Sequence, residues 1–337
     1  MRGMNRKKYV GHVSRSALLM SAVLITHLGT AAAQSNAPNA SYPNKPVRII
    51  VAFAAGGPTD GIARVLAQDM SVMLNQTVIV ENRTGANGQI GTVAAARATP
   101  DGHTLIYNSL NHTINSLLMK SPGYDPIKDF TPIVLMQFSP SVLVVGATQP
   151  WQSVQDLVQA AKSTSITFGS AGVGGSAHLT AELFRTQVAA NMTHVPFRGN
   201  GPALVDVIAG QVSFIFHPMG GLHEFVASKR VRAIGITTAQ RHALYAEVPT
   251  MKEQGFSGFE ESHSWSGMLA PAGTPRAIVD KLSAVLHKSM ASGGMKKRAE
   301  TYGTTLVGGT PEEFARFLVS DAQRWRRVIR NAGIKAE

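Results

Sequence analysis

The chain has 337 residues, 32 basic against 20 acidic side chains and no cysteine, and 44% of it is hydrophobic. At about 150 residues per domain the length predicts about two domains, and this apolar content suffices for real cores and excludes disorder. The missing cysteine excludes disulfides, thiolate metal sites, a cysteine nucleophile and a lipidated N-terminal cysteine, while the formal charge of +12 points to nucleic acid only until processed segments are set aside.

At the N-terminus Arg2, Arg6, Lys7, Lys8 and Arg15 surround the start of an apolar stretch, Ala17–Thr26, and Ala31-Ala32-Ala33 stands before Gln34. Basic, apolar and small-residue regions in that order predict a signal peptide over residues 1–33. The apolar run is about ten residues, half of what a spanning helix needs. Cleavage after Ala33 leaves 27 basic and 20 acidic residues, a net charge of +7. No second segment is long and apolar enough to span a bilayer. The mature chain is therefore expected in a periplasm, soluble, without a lipid anchor and without nucleic acid as a partner.

Strand and helix signals then alternate, as in a parallel α/β protein. Val47–Phe53 is a β-branched strand ending in Ala54-Ala55-Gly56-Gly57-Pro58-Thr59-Asp60, and a helical pattern follows with Ile62, Val65, Leu66, Met70 and Met73 on one side. Thr77–Val80 is a second strand, followed by the glycine-rich Thr84–Gly91 and an alanine-rich helix to Arg97; Thr104–Tyr107 and Ile133–Leu135 are further strands. A second block begins near Gln137. It holds strands at Val142–Val145, Ile166–Phe168, Val212–Phe216 and Val231–Thr237, helices after Ser153 and Ser176, and the glycine-rich turns Gly169–Ser176 and Arg198–Pro202. Ser264–Leu269 resumes a strand before a helix with Ile278, Leu282, Val285 and Leu286. The reading is two lobes, residues 34–135 plus 257–337 and residues 136–256. The turn at Gly56 to Asp60 and the turn at Gly174 to His178 echo each other at an offset of 118 residues.

The last helix opens on Thr310-Pro311-Glu312-Glu313, a capping box with proline in the first turn, and ends at Gly333. Phe314, Phe317, Leu318, Trp325 and Ile329 form its apolar side, with Arg316, Arg324, Arg326, Arg327 and Arg330 mostly on other faces. Residues 34–228 are balanced at ten basic and ten acidic, whereas residues 229–337 hold seventeen and ten. All the excess charge of the mature chain thus lies in its last third, as a solvated face or a docking surface.

Glycine-rich turns after strands aim backbone N–H groups beyond the strand ends, and helix N-termini add partial positive charge there. The chemistry is anion binding. One helix terminus supplies about 0.3–2 kcal/mol and micromolar affinity needs about 8 kcal/mol, so several turns must converge with hydroxyls such as Thr59, Ser170 and Ser176. Gly172-Val173-Gly174-Gly175-Ser176-Ala177 fits a dinucleotide fingerprint, but no acidic residue follows at the end of the next strand, so no cofactor is expected. No phosphate loop or nucleophile elbow is present, and His223-Glu224 is not followed by a histidine at 227 as a zinc-protease helix requires, so neither a metal nor catalysis is expected. Asp60 reads as a capping and dipole residue. His178 and His217 read as ligand or packing residues, and Trp265 as a cleft or core residue.

Seven motifs in order resemble the Bug-type receptors of tripartite tricarboxylate transporters: Tyr42-Pro43-Asn44-Lys45-Pro46-Val47-Arg48, Phe53 with Gly56-Gly57-Pro58-Thr59-Asp60, Glu81–Gly88, Pro100–Leu105, Gly169-Ser170-Ala171-Gly172, His194–Ala203 and Leu269–Pro275. The resemblance covers essentially the whole mature chain. It implies an α/β, two-lobed type II periplasmic-binding-protein (Venus flytrap) fold that closes over a small carboxylate, with a carboxyl group held largely by backbone amides, small hydroxyls and water. On matching positions it implies Phe53, Ala54, Gly57, Thr59 and Asp60 in the first lobe, and Ser170, Gly174, Ser176, His178, Arg198 and Gly199 in the second. His217 stands where many relatives carry an acidic or amide residue. The implied partners are the carboxylate and the inner-membrane permease subunits, with the receptor acting as a monomer. Competing readings are a carboxylate sensor for a signalling partner and an exported hydrolase using Ser176 with His178 or His194.

Overall fold

In a computed structural model of the chain, residues 42–335 are described; the signal peptide assigned to residues 1–33 lies outside the described residues. The elements run β1 (Val47–Val51), α1 (Pro58–Leu74), β2 (Val78–Asn82), α2 (Gln89–Ala96), β3 (Thr104–Ser109), α3 (Asn111–Leu118) and β4 (Phe130–Ser139). A second series follows: β5 (Ser141–Gly146), α4 (Val154–Ser163), β6 (Ile166–Ser170), α5 (Ser176–Val188), β7 (Met192–Pro196), α6 (Asn200–Ile208), β8 (Phe214–Pro218), α7 (His223–Ala227) and β9 (Val231–Ile236). The chain then returns through β10 (Ser264–Pro271), α8 (Arg276–Met290), α9 (Gly293–Tyr302), β11 (Thr305–Gly308) and α10 (Pro311–Ala332).

Two sheets result. The six-stranded sheet has the order β11-β4-β10-β3-β1-β2, and the five-stranded sheet the order β7-β6-β8-β5-β9. In the first, β1 pairs in parallel with β2 and β3, with Ile49 opposite Val80 and Leu105, and β10 runs antiparallel between β3 and β4. In the second, β6 is parallel to β7 and β8, and β5 is antiparallel to β8 and β9. The chain passes from one sheet to the other at Pro140, between β4 and β5, and returns between β9 and β10.

Alternation of side chains along each strand puts apolar groups on both faces, so both sheets are covered by helices twice. Val47, Ile49 and Val51 pack on Ile62, Leu66 and Met70 of α1 and on Leu282 and Leu286 of α8. On the other face Ile50, Ile106 and Leu269 meet Ile114 of α3 and Phe314, Leu318 and Trp325 of α10. In the second sheet Phe168, Phe214 and Phe216 pack on Leu157 of α4 and Phe184 of α5, and Val144 and Ile215 on Leu204 and Val207 of α6. Leu179 of α5 belongs to the cluster of the first sheet, so this helix joins the two halves.

Several short elements lie outside the strands and helices expected from the sequence, among them α7, which buries no residue. α3 buries His112, Thr113 and Asn115, α9 buries only Met295 and Ala299, and β11 is a four-residue edge strand. β4 begins at Phe130, earlier than its apolar run, because Thr131 and Pro132 pair with Ala270 and Leu269 of β10. Met73 is 39% exposed; Leu74 takes the inward position on α1. Trp265 is a core residue, 1% exposed.

Trp265 Nε1 donates to Asp321 Oδ2 at 2.9 Å, Thr113 Oγ1 donates to the same oxygen at 2.9 Å, and Arg324 bonds Oδ1. This buried carboxylate ties α3, β10 and α10 together. Removing it strands the buried Trp265 donor and a guanidinium, while Thr113 keeps Leu110 O at 3.0 Å as an acceptor; for a buried charged pair the loss costs about 3–5 kcal/mol. Asp321→Ala is expected to lower stability by that amount, read from the urea midpoint; a loss under about 1 kcal/mol would contradict this role.

Candidate functional site

Helix N-termini leave their first backbone N–H groups without partners inside the helix. Some helices here cover them with their own side chains: Ser153 and Asp156 form a capping box on α4, Thr310 and Glu313 on α10, and Ser292 caps α9. Others do not. α1, α5 and α6 follow the parallel strands β1, β6 and β7, and their N-cap residues are Gly57, Gly175 and Gly199, with no side-chain cap. The amides of Thr59 and Asp60, and those of Ser176, Ala177 and His178, donate to no group among the described residues. Their partial charge is left for an acceptor from outside.

The turn before α1 is shaped by Asp60, which is 3% exposed. Its Oδ2 accepts from Gly56 N at 2.9 Å and from Arg64 Nε at 2.9 Å, and its Oδ1 accepts from Asn82 Nδ2 at 2.9 Å. Asn82 also donates to the Phe53 carbonyl at 3.0 Å. The Arg64 hydrogen bond, against the opposing effect of burial and with help from Gly56 and Asn82, holds the Asp60 carboxyl down at about 2. Asp60 is thus a turn-shaping anion with every oxygen engaged. Ala54 is exposed, and Phe53, Gly57 and Thr59 are half-buried around the uncapped amides.

The turn before α5 is shaped in the same way by neutral groups. Ser170 is fully buried; its hydroxyl donates to Gly172 O at 3.0 Å and accepts from Gly172 N at 3.1 Å and from His194 Nε2 at 2.6 Å. This uses the one donor and both lone pairs of a serine. His178 Nδ1 accepts from Gly174 N at 3.1 Å, which puts the ring proton on Nε2, 3.6 Å from Glu182 Oε1. The His178 and His194 rings stack at 4.0 Å, and His194 also stacks on Phe168 at 5.1 Å. Burial, with His178 alongside, pushes His194 down to about 4. Burial pushes the Glu182 carboxyl up, but His178 and Arg185 outweigh it and hold the group below the ordinary carboxylate value. Gly174 is required here: its φ is +77°, and a Cβ on it would stand 2.7 Å from Leu118 Cδ1 of α3.

Phe197 N donates to Ser170 O at 2.9 Å, bringing the Arg198-Gly199 turn beside this cluster. Arg198 is exposed, and its guanidinium has no acidic partner among the described residues. His217, at the end of β8, is 8% exposed; its Nδ1 donates to Pro218 O at 2.6 Å. Burial lowers its pKa, opposed by that bond, so the ring is neutral with Nε2 as an acceptor.

The expected residues therefore gather in two clusters, one on each sheet, with Asp60, Ser170 and His178 shaping turns through their side chains. Asn82 and Arg64 carry the first turn and were not singled out as site residues, although Asn82 lies inside the Glu81–Gly88 motif. His194, the first residue of the His194–Ala203 motif and the base of the hydrolase reading, has its Nε2 engaged by Ser170. The Ser176 hydroxyl makes no hydrogen bond to His178 or His194 among the described residues, so the nucleophile and base of a hydrolase are not assembled. No group of three or more His, Cys, Asp or Glu side chains suited to a metal occurs among the described residues, and no helix among them is long and apolar enough to cross a membrane.

Residues 62–334 match the sequence profile of the tripartite tricarboxylate transporter family receptor. A protein from the tcbD-tcbE intergenic region of Pseudomonas sp. strain P51 is 36% identical over 292 residues, covering 86% of this chain and 87% of its own. Protein BugT of Bordetella pertussis is 33% identical over 318 residues, covering 93% and 97%. Among solved structures, the periplasmic binding protein BugD is 32% identical with a TM-score of 0.75, covering 88% of this chain and all of its own. Rpa4515 of R. palustris, solved with adipate, is 30% identical with a TM-score of 0.78 over 88% and 100%. MatC of Rhodopseudomonas palustris, solved with bound malate, is 30% identical with a TM-score of 0.74 over 86% and 100%. The fold is the two-lobed type II periplasmic-binding-protein fold.

The Asp60 geometry generates a pH prediction. A carboxyl whose ordinary value is 3.8 and whose folded value is about 2 stabilises the fold above pH 4 and loses that contribution as pH falls through 2. Asp60→Asn is expected to cost about 1–2 kcal/mol at pH 7 and to flatten the stability change between pH 4 and pH 2. Parallel urea melts of the two proteins across that window check it; equal slopes would refute it.

Proposed function

The chain belongs to the Bug-type receptors of the tripartite tricarboxylate transporter family, and from that premise we propose that it captures a small carboxylate between two lobes and delivers it to membrane permease subunits. The reading places the receptor in a periplasm after removal of residues 1–33. Its lobes are residues 34–135 with 257–337, and 136–256, and it acts as a monomer without catalysis. The observation that carries it is the pair of uncapped glycine starts on α1 and α5, one on each sheet, beside helices elsewhere that cap themselves.

In this mechanism the carboxyl group accepts from the amides of Thr59 and Asp60 on one lobe and of Ser176 to His178 on the other, with the Thr59 and Ser176 hydroxyls and Arg198 as further donors. Phe53, Ala54, Gly57, Gly174 and Gly199 let the ligand approach the backbone, and Asp60, Ser170 and His178 hold the turns. Several such donors are needed, because each terminus contributes about 0.3–2 kcal/mol. Contact with both lobes favours the closed form, which the permease then distinguishes from the open one. His217, neutral and with its Nδ1–H occupied, offers a lone pair at Nε2. That favours a ligand with a hydroxyl donor at its far end. The malate bound by MatC is a hydroxy acid of this class.

Ligand at a hundred times its Kd stabilises a folded receptor by about 2.7 kcal/mol. A thermal-shift series with malate, adipate, citrate and an aromatic acid is expected to raise Tm by several degrees for at least one of them. Arg198→Gln should weaken that ligand about tenfold, about 1.4 kcal/mol, without lowering the Tm of the free protein. A flat response to every carboxylate refutes the proposal.

A further inference from the structure

We propose that the outward side of α10 is a docking surface for anionic phospholipid headgroups. The helix buries Phe314, Leu318, Asp321, Trp325 and Ile329. At helical spacing Arg316, Arg326, Arg327 and Arg330 fall on the opposite side, within about 100° of arc and along about 21 Å of axis. All four are exposed. None has an acidic partner among the described residues, whereas the inward-leaning Arg324 is paired with Asp321 and lies 3.9 Å from Glu261. Glu312, at the start of the same arc, is engaged by Arg276. The stripe is therefore a row of uncompensated cations on a rigid, doubly capped helix, in the third of the chain that holds seventeen basic and ten acidic residues.

Apolar surface lies beside the row. Val319 is 42% exposed and Ile127 38% exposed; with Pro132, Ala315, Leu318 and Arg316 they line an open groove of about 390 Å³. A linear array of guanidiniums bordered by exposed aliphatic side chains matches a bilayer surface, which offers a continuous layer of phosphates with hydrocarbon just beneath. An acidic protein segment is the poorer match, because the four guanidiniums are strung along the helix instead of converging on one carboxylate-sized pocket. The ligand turns lie on other elements, so this surface does not overlap the one proposed for carboxylate capture.

The test is co-sedimentation of the purified chain with vesicles of phosphatidylglycerol and phosphatidylcholine, against pure phosphatidylcholine, at low and at high salt. The expected result is binding to the anionic vesicles only, lost at high salt. Substituting Arg316→Gln, Arg326→Gln, Arg327→Gln and Arg330→Gln together should reduce partitioning by at least about tenfold. Arg→Lys at the same four positions should retain it, and the pair Arg326→Gln with Arg330→Gln should give an intermediate loss if the full set fails to fold. Equal behaviour on both vesicle types, or undiminished binding by the Gln variants, overturns the proposal. Binding that appears only when acidic membrane proteins are reconstituted into the vesicles overturns it in favour of a protein partner.

Discussion

Every backbone N–H withdrawn from water has to find an acceptor, and at a helix start the helix itself cannot supply one. That constraint organises this molecule. Some helices close their ends with a serine or threonine side chain, as at Ser153, Ser292 and Thr310. Where α1, α5 and α6 follow parallel strands, glycine stands in the cap position and no side chain closes the helix end. Open amides at these glycine starts suit recognition of an acceptor by geometry more than by a large opposing charge.

Open amides bind well only if the turn carrying them is stiff before the ligand arrives, since ordering a loop on binding subtracts from affinity. Asp60 fixes one turn through three charge-assisted or amide donors, and Ser170 and His178 fix the other. The two solutions differ in charge. The first uses a carboxylate balanced by Arg64; the second keeps His194 neutral through burial. The stacked imidazoles on Phe168 thus rigidify the second turn without adding a cation or anion to it.

The second half does not stand apart from the first. Leu179 of α5 packs into the cluster around Trp265, Arg185 Nη2 donates to Ala332 O of α10 at 2.8 Å, and Gly174 abuts Leu118 of α3. Glu182 bridges His178 and Arg185 on one side of α5, so the turn that would grip a ligand is joined by side chains to the last helix. Asp321 holds that helix to β10, the strand on which the chain re-enters the six-stranded sheet.

Local pattern determined much of this protein. Strand and helix periods, the capping box at Thr310, the αL stop at Gly333, the glycine turns and the ordered motifs are all properties of residues close in sequence, and they carried the α/β class, the two-lobed fold and the family. Tertiary structure decided what those signals could not. A carboxylate such as Asp60 faces a ligand or its own turn according to where Asn82 and Arg64 lie, and the imidazole of His178 is claimed by Gly174. Trp265 is core because Asp321, 56 residues away, supplies an acceptor. α9 forms because neighbours cover it, although it buries only Met295 and Ala299. Periodicity records which side of an element is buried; the partner of a polar group is fixed only when distant segments meet.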